Sequence, residues 1–285
     1  LRGRNVPDPI PAFERPWLDR PPGSTTDDTA LARNLVRSLA ARGGLDPADL
    51  VERHLAWFRS DPPDVGTLTG RVLRRVDRGE DAATVARDIW QQRGPEVSAG
   101  NGSVMYCAPL GLAYAGRPDE LHDAAPSLSE ITHADGRCRT ACLAVTLAVA
   151  ALVRGDPPEA SVRGALAAIE GLEGSEELEH LVGAAGIERP IDGPDRGFVF
   201  FTSGVALRAA GEERPFEAGL RDVVALGGDT DTNAAVTGAL LGALHGARSL
   251  PGTWLERLAD RTAIEAEARE LAGVGPDPGA SLRRR

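Results

Sequence analysis

Two short segments place pairs of acidic residues directly before an apolar helical pattern. They are Thr26-Asp27-Asp28-Thr29 and Gly227-Gly228-Asp229-Thr230-Asp231-Thr232-Asn233. A single Asp is enough to accept hydrogen bonds from the free backbone N–H groups of a helix start, so each segment has one carboxylate more than a cap needs. Adjacent carboxylates repel each other unless a cation lies between them. Four Asp side chains with the Thr26 and Thr232 hydroxyls are hard oxygen ligands, which favours Mg²⁺ or Mn²⁺ over zinc.

Two interpretations of these segments remain open at this point. Either each segment only caps a helix, or the two helix starts meet in space and together hold two metal ions. The helix predicted after Asp231 favours a rigid site, because one of its faces carries only small residues and allows close packing by its neighbours. These residues are Ala234, Ala235, Gly238, Ala239, Gly242 and Ala243.

A glycine-rich turn, Ser98-Ala99-Gly100-Asn101-Gly102-Ser103, precedes another apolar stretch. Its backbone N–H groups could bind a diphosphate at a helix start. The pattern has low specificity, because glycine turns open many helices without binding anything.

His133 and Asp64 are two isolated polar candidates. His133 lies in a polar stretch before a long apolar helix, where a local hydrogen bond is its simpler role. Asp64 lies just before the helix predicted to start at Thr67 and could act only as its cap.

The rest of the chain must position these residues, and its pattern is helical almost throughout. Apolar residues recur at helical spacing, as in Leu31, Leu35 and Leu39, and loops rich in Gly and Pro separate the runs. Phe198–Phe201 is the single short strand candidate. The pattern predicts an all-α fold, with one compact multi-helix domain over residues 1–285 and a loop-like lead-in over residues 1–25. The predicted helices cover residues 29–42, 46–60, 67–78, 82–92, 102–115, 135–154, 159–172, 199–210, 215–226, 232–245 and 261–271.

Composition narrows the class of protein. The formal net charge of −10 disfavours a basic nucleic-acid groove, and 42% hydrophobic residues are typical of a globular chain. Three cysteines without a CxxC pair disfavour a disulfide scaffold or zinc ribbon and favour a reducing, cytoplasmic location. The longest apolar run, Ala141–Val153, is too short to span a bilayer, and no signal peptide is visible. We expect a monomer that does not associate with membranes.

The motifs together resemble the ADP-ribosylglycohydrolase family. They follow the family's order from about Ser24 to Leu271, and the last of them is highly specific. The matching residues are Thr26-Asp27-Asp28-Thr29, Asp64-Val65-Gly66, Gly100-Asn101-Gly102 with Met105 and Pro109, Thr132-His133, and Gly228-Asp229-Thr230-Asp231-Thr232. The resemblance implies an all-helical fold with a metal site in a central cleft.

The resemblance also implies a reaction and its residues. It implies metal-assisted hydrolysis of the glycosidic bond at ribose C1″, which removes ADP-ribose from a modified protein side chain. Asp27 or Asp28 would act as base or orienter, and Asp64 would lie near the guanidinium of an N-linked arginine substrate. Two Mg²⁺ or Mn²⁺ ions would be held by Thr26, Asp27, Asp28, Asp229, Asp231 and Thr232. The diphosphate and ribose region would be lined by Ser98, Gly100, Asn101, Gly102 and His133.

Two departures from the family pattern keep alternatives open. Members usually carry Gly-Asp-Ala-Leu-Gly and then a glutamate that covers the site; residues 1–25 lack this motif, and their Glu14 stands in a different sequence context. Either the natural start lies outside this sequence, or part of the site has been lost. Tyr106 stands where an arginine commonly follows the methionine. The alternatives are a hydrolase of O-linked (serine) or small-molecule ADP-ribose conjugates, and a non-catalytic member that binds ADP-ribose.

Overall fold

The computed structural model describes residues 20–94, 99–183, 193 and 195–274. Fourteen α-helices fill this part of the chain, which contains no strand, and an isolated antiparallel bridge joins Gly100 and Phe198. The all-α prediction is therefore confirmed. The helices are α1 Asp27–Arg42, α2 Pro47–Phe58, α3 Thr67–Val76, α4 Ala82–Arg93, α5 Ala108–Ala113, α6 Leu121–Glu130, α7 Gly136–Arg154, α8 Pro158–Ala168, α9 Ser175–Val182, α10 Val199–Gly211, α11 Phe216–Ala225, α12 Thr230–His245, α13 Gly252–Arg257 and α14 Arg261–Val274.

Helix α7 forms the centre of the fold. Its sequence is apolar on nearly every side, and it packs against α5, α6, α8, α10 and α12. Asp135 starts the helix by accepting from the backbone N–H of Arg137, and Gly155 ends it in the left-handed region with a φ of 84°. The 19-residue helix is longer than its apolar run, and by length and composition alone it could cross a membrane. Of its most apolar window, however, 78% is buried inside the protein.

Helices α1 and α12 carry the two acidic segments. The small side chains of α12 allow close packing, and α7, α10 and α11 all lie against it. Helix α1 buries Leu31, Leu35 and Leu39 in the core. On its other side α14 packs along it, and Glu267 accepts hydrogen bonds from Arg33 and Arg37. These contacts hold the N-terminal ends of both helices in place, which is what a rigid site requires.

Two segments differ from the predicted helices. Residues 102–115 form a 3-10 turn, Val104–Tyr106, and then the short helix α5, because Pro109 fits a first helical turn but interrupts a continuous helix. The strand prediction for Phe198–Phe201 is wrong: Phe198 makes the single bridge to Gly100, and α10 begins at the next residue.

Three helices have no clear periodic signal in the sequence. Helix α6 contains Pro126, which argues against a helix, and it still forms because tertiary packing buries Leu121 and Leu128 against α7. Helices α9 and α13 have only eight and six residues, too few for a pattern to repeat.

Candidate active site

The N-terminal ends of α1 and α12 meet, which brings the two acidic segments together. Thr26 donates a hydrogen bond to Asp28 Oδ2 at 2.6 Å. Thr232, on α12, lies within hydrogen-bonding reach of the same carboxyl group, and Asp229 lies close enough for its charge to affect Asp28. The sequence left open whether these helix starts meet, and the packing of the helices answers it.

Asp27, Asp64 and Asp231 complete this carboxylate cluster. Asp27 Oδ2 accepts from the backbone N–H of Gly66 at 3.0 Å, which ties the loop before α3 to the start of α1. The carboxyl group of Asp64 lies within hydrogen-bonding reach of Asp27, and Asp231 has the same relation to Asp229. Paired carboxyl groups of this kind require either a shared proton or a cation between them.

The acidic residues of the cluster do not cap their helices. Neither Thr26, at the start of α1, nor Asp229, at the start of α12, accepts a capping hydrogen bond through its side chain. The N-cap of α3 is Gly66 and not Asp64. Three other aspartates at helix starts do cap, namely Asp46, Asp81 and Asp135. The capping interpretation is therefore wrong for these three segments, whose side chains turn toward one another instead.

The cluster holds more negative charge than its surroundings stabilise. Burial, followed by the charges of Asp28 and Asp64, raises the pKa of Asp27 to about 7. Burial likewise raises the pKa of Asp28. Asp231 is exposed as a residue, but its carboxyl group faces the cluster, and burial of that group together with Asp28 and Asp229 raises its pKa to about 7. A bound cation would relieve this repulsion.

Asn101 connects the glycine turn to the cluster. Its Nδ2 donates to Asp229 Oδ2 at 2.9 Å and to Thr202 Oγ1 at 3.0 Å. Thr202, in α10, donates in turn to Asn233 Oδ1 in α12 at 2.7 Å. This buried chain of hydrogen bonds fixes Asp229. Sequence reasoning missed Thr202, because a threonine inside a helix carries no signal of its own.

His133 lies beneath the glycine turn. A Cβ atom on Gly102 would lie 2.7 Å from its Cε1, so only glycine fits above the ring. The imidazole Nδ1 lies 2.8 Å from Thr132 Oγ1, and burial lowers the pKa of His133 to about 4, which keeps the ring neutral. Its place is below the turn and not on the cleft wall.

An open cleft of about 600 Å³ runs between the cluster and the glycine turn. Of the residues singled out in the sequence, those on its wall are Asp27, Asp64, Gly100, Asn101, Gly102, Asp229, Asp231 and Thr232. Thr26, Asp28 and His133 lie behind this wall, and Ser98 falls outside the described residues. A second cavity of about 630 Å³, between α8, α9 and α10, contains none of the predicted site residues.

Comparison with known proteins identifies the family of this chain. The sequence profile described as ADP-ribosylglycohydrolase matches residues 2–280. The chain belongs to the ADP-ribosylglycohydrolase family. The resemblance seen in the motifs is therefore confirmed, and this member is a hydrolytic enzyme, an ADP-ribosyl glycohydrolase.

Relatives of this glycohydrolase include enzymes with named substrates. It is 34% identical to the ADP-ribosyl-[dinitrogen reductase] glycohydrolase of Rhodospirillum rubrum, covering 85% of this chain and 76% of that one. It is 27% identical to ADP-ribosylhydrolase ARH3 of Homo sapiens, covering 80% and 73%. It is 24% identical to the ADP-ribosylarginine hydrolase Tri1 of Serratia proteamaculans, covering 90% and 69%. A solved structure titled ADP-ribosylglycohydrolase-related protein complex superimposes with a TM-score of 0.77 at 33% identity, covering 96% and 93%.

The donor set of the glycohydrolase fits a divalent cation. Asp28 Oδ1 is buried without a hydrogen-bond partner, an unfavourable state that a ligand would correct. The surrounding donors are carboxylate and hydroxyl oxygens, which Mg²⁺ and Mn²⁺ prefer. As they stand, no three His, Cys, Asp or Glu side chains among the described residues are arranged to hold one ion. The carboxyl groups are paired with each other instead, in contacts that a cation would separate.

Proposed function

We propose that this glycohydrolase releases ADP-ribose from modified protein side chains, with N-linked ADP-ribosylarginine as its substrate. The bond cleaved is the glycosidic bond at ribose C1″. The observation that carries the proposal is the convergence of Asp27, Asp64 and Asp229 on one cleft, with none of these side chains used as a cap. The name of the relative from Rhodospirillum rubrum supports an ADP-ribosylated protein as substrate, and the name of the relative from Serratia proteamaculans supports the arginine linkage.

The proposal includes a binuclear metal centre. The ligands would be Thr26, Asp27, Asp28, Asp229, Asp231 and Thr232, holding two Mg²⁺ or Mn²⁺ ions. When bound, such ions orient ribose hydroxyls and lower the pKa of a coordinated water. The unpartnered Asp28 Oδ1 and the acid pairs of the cluster support this assignment.

The remaining chemistry belongs to the side chains of the chain itself. Asp27 or Asp28 would accept the proton of the attacking water as the bond to C1″ breaks. The surrounding negative charge favours a transition state with oxocarbenium character. Asn101 would keep Asp229 in position through its 2.9 Å hydrogen bond. Ser98, Gly100, Gly102 and His133 would form or support the diphosphate and ribose region.

Asp64 would select the linkage. It lies on the cleft wall beside Asp27, and burial raises its pKa. A substrate that places a positive charge next to this carboxylate would therefore be bound favourably. The guanidinium of an arginine-linked substrate is such a cation and pairs with a carboxylate through two hydrogen bonds.

The test measures free ADP-ribose released from arginine-linked and serine-linked conjugates in the presence of Mg²⁺, Mn²⁺ or EDTA. We expect metal-dependent release with arginine-linked protein preferred. Asp64→Asn should lower kcat/KM for the arginine linkage roughly 100-fold, because a charge-assisted pair is lost, and affect the serine linkage far less. Asp61→Asn, an exposed aspartate off the cleft, is the matched control. An equal loss on both linkages would refute the role of Asp64.

We also propose a monomeric protein of a reducing, cytoplasmic compartment. The free, buried thiols Cys107, Cys138 and Cys142 are consistent with this location. Size-exclusion chromatography with light scattering would test the monomer, and a stable dimer at micromolar concentration would overturn it.

A further inference from the structure

The cleft wall is mainly acidic, which opposes the binding of an anionic substrate. Asp27, Asp64, Asp229 and Asp231 all line it, and the chain has a formal net charge of −10. The ADP-ribosyl group carries a diphosphate with two negative charges. Placing that anion in an acidic cleft costs electrostatic free energy unless cations lie where it binds.

Among the described residues of the cleft wall, Arg93 and Arg196 are the only cations. The guanidinium group of neither arginine forms an ion pair or a hydrogen bond with another described residue. Many arginines in the described part of the chain pair with carboxylates, as Arg33 does with Glu267 and Arg139 with Glu130, whereas the two cleft arginines do not. Both cleft arginines therefore keep their full capacity to bind an anion.

Arg196 is held beside the glycine turn because the residues that follow it make backbone hydrogen bonds to that turn. The backbone N–H of Asn101 donates to the carbonyl of Gly197 at 3.0 Å, and that of Val199 donates to Ala99 at 3.0 Å. These two bonds form the antiparallel bridge between the turn and the start of α10. The side chain of Arg196 is exposed, so it can reach a ligand on the turn without breaking an existing contact.

Arg93 lines the same cleft as the glycine turn. It is the last residue of α4, whose C-terminal end is fixed by a 3.1 Å hydrogen bond from Trp90 Nε1 to Asp135 Oδ2. Burial lowers the pKa of His133, the charge of Asp135 raises it, and the positive charge of Arg93 lowers it further, so Arg93 lies near enough to affect the ring beneath Gly102.

We propose that Arg93 and Arg196 form a cationic clamp for the diphosphate of the ADP-ribosyl group and thereby select substrates that contain it. This inference rests on the proposed function for the identity of the ligand. Asp195 also lines the cleft beside Arg196 and partly offsets its charge, so both arginines are needed to match the dianion. The carboxylate cluster and the clamp then divide the cleft into an end for the scissile ribose and an end for the diphosphate.

The test compares Arg93→Gln, Arg196→Gln and the double variant with the wild-type chain. Calorimetry measures binding of ADP-ribose and of adenosine, which has no phosphate. Each single change should weaken ADP-ribose binding roughly 10-fold, since a charge-assisted hydrogen bond is lost, and leave adenosine binding unchanged. Added salt should weaken ADP-ribose binding less in the double variant than in the wild type, because less charge remains to be screened. In turnover, KM should rise by a similar factor while kcat is retained.

Arg163→Gln is the matched control, because Arg163 is an exposed arginine of α8 that pairs with Glu159 outside the cleft. We expect it to bind ADP-ribose like the wild type. Cleft variants that match this control, or that lose adenosine and ADP-ribose binding equally, would overturn the clamp.

The outcomes also separate this inference from the proposed function. A wild-type chain that binds ADP-ribose but releases none from protein conjugates would refute the proposed substrate, while the binding series still tests the clamp. A chain that hydrolyses the conjugates with unchanged KM in the double variant would refute the clamp alone. A wild-type chain that binds no ADP-ribose would refute both.

Discussion

At the scale of single residues, the site differs from ordinary helix starts in where each carboxylate finds its hydrogen bonds. Asp81 accepts from the backbone N–H of Thr84 at 2.9 Å, as a capping residue does. Asp229 also stands at a helix start but accepts from Asn101 and faces Asp28 and Asp231. Removing Asp229 and removing Asp81 should therefore have opposite effects on stability and on the response to metal.

Asp229→Ala should abolish the stabilisation of the protein by Mg²⁺ or Mn²⁺. A ligand that binds only the folded state raises the melting temperature, and this variant lacks a proposed ligand. Without metal, the variant should melt at or above the wild-type temperature, because repulsion with Asp28 and Asp231 is relieved. Thermal melts with and without each metal measure both effects.

Asp81→Ala provides the comparison for that experiment. It should cost about 1 kcal/mol of stability through loss of the cap and keep the full metal response. A metal response that persists in Asp229→Ala would remove this aspartate from the metal site.

At the scale of elements, the glycine turn depends on what lies beneath it. His133 occupies the space that a side chain on Gly102 would need, and Asn101 is tied to α10 through Thr202. The turn can therefore keep its place over His133 and its hydrogen bond to α10 only if residue 102 has no Cβ atom.

Gly102→Ala should lower activity at least about 10-fold and destabilise the fold by about 1–3 kcal/mol, because the added methyl group forces the turn away from His133. Kinetics and denaturant unfolding measure the two effects. Gly164→Ala in α8 is the control: nothing lies within 4 Å of the added Cβ, so this change should stabilise the protein slightly and leave activity intact. Normal kinetics in Gly102→Ala would show that the turn can shift without consequence.

At the scale of the whole molecule, stability depends on groups far from the cleft. His54 is fully buried, with Nδ1 3.2 Å from Asn34 Nδ2, and burial lowers its pKa from 6.5 to about 3. The unfolded chain therefore binds a proton at His54 between about pH 6.5 and 3 where the folded chain does not. This contribution to stability is complete above about pH 6.5 and is lost as the pH falls toward 3.

We expect His54→Gln to flatten the decline of unfolding free energy at acid pH. The contribution of His54 amounts to at most about 1.4 kcal/mol per pH unit in that window. Asp27 and Asp231 act in the opposite direction, since their raised pKa values let the folded state bind protons below about pH 7. Urea unfolding at pH 7.5 and 5.5 measures the unfolding free energy of the wild type and of the variant. The difference between the two proteins isolates the contribution of His54, because the carboxylates titrate in the same way in each of them. Parallel curves would refute this contribution.

Local pattern alone specifies much of this protein. Helical periodicity is repeated within each segment, so the all-α class and most helix positions follow from it. The pattern does not reveal α6, which contains Pro126, or α9, which has only eight residues. The excess of carboxylates at two helix starts likewise predicts hard-ion chemistry from adjacent residues. These are properties of neighbours in the chain, and neighbours are visible in a sequence.

Packing specifies the rest. The starts of α1 and α12 lie far apart in sequence and meet only because α12 packs against α7 while α1 packs against α5 and the 3-10 turn of the same core. The same packing turns Asp64 away from its helix start, ties Asn101 to Thr202, and brings Arg93 and Arg196 to one cleft. No local spacing encodes these contacts, because each depends on the relative positions of helices that the buried side chains determine together.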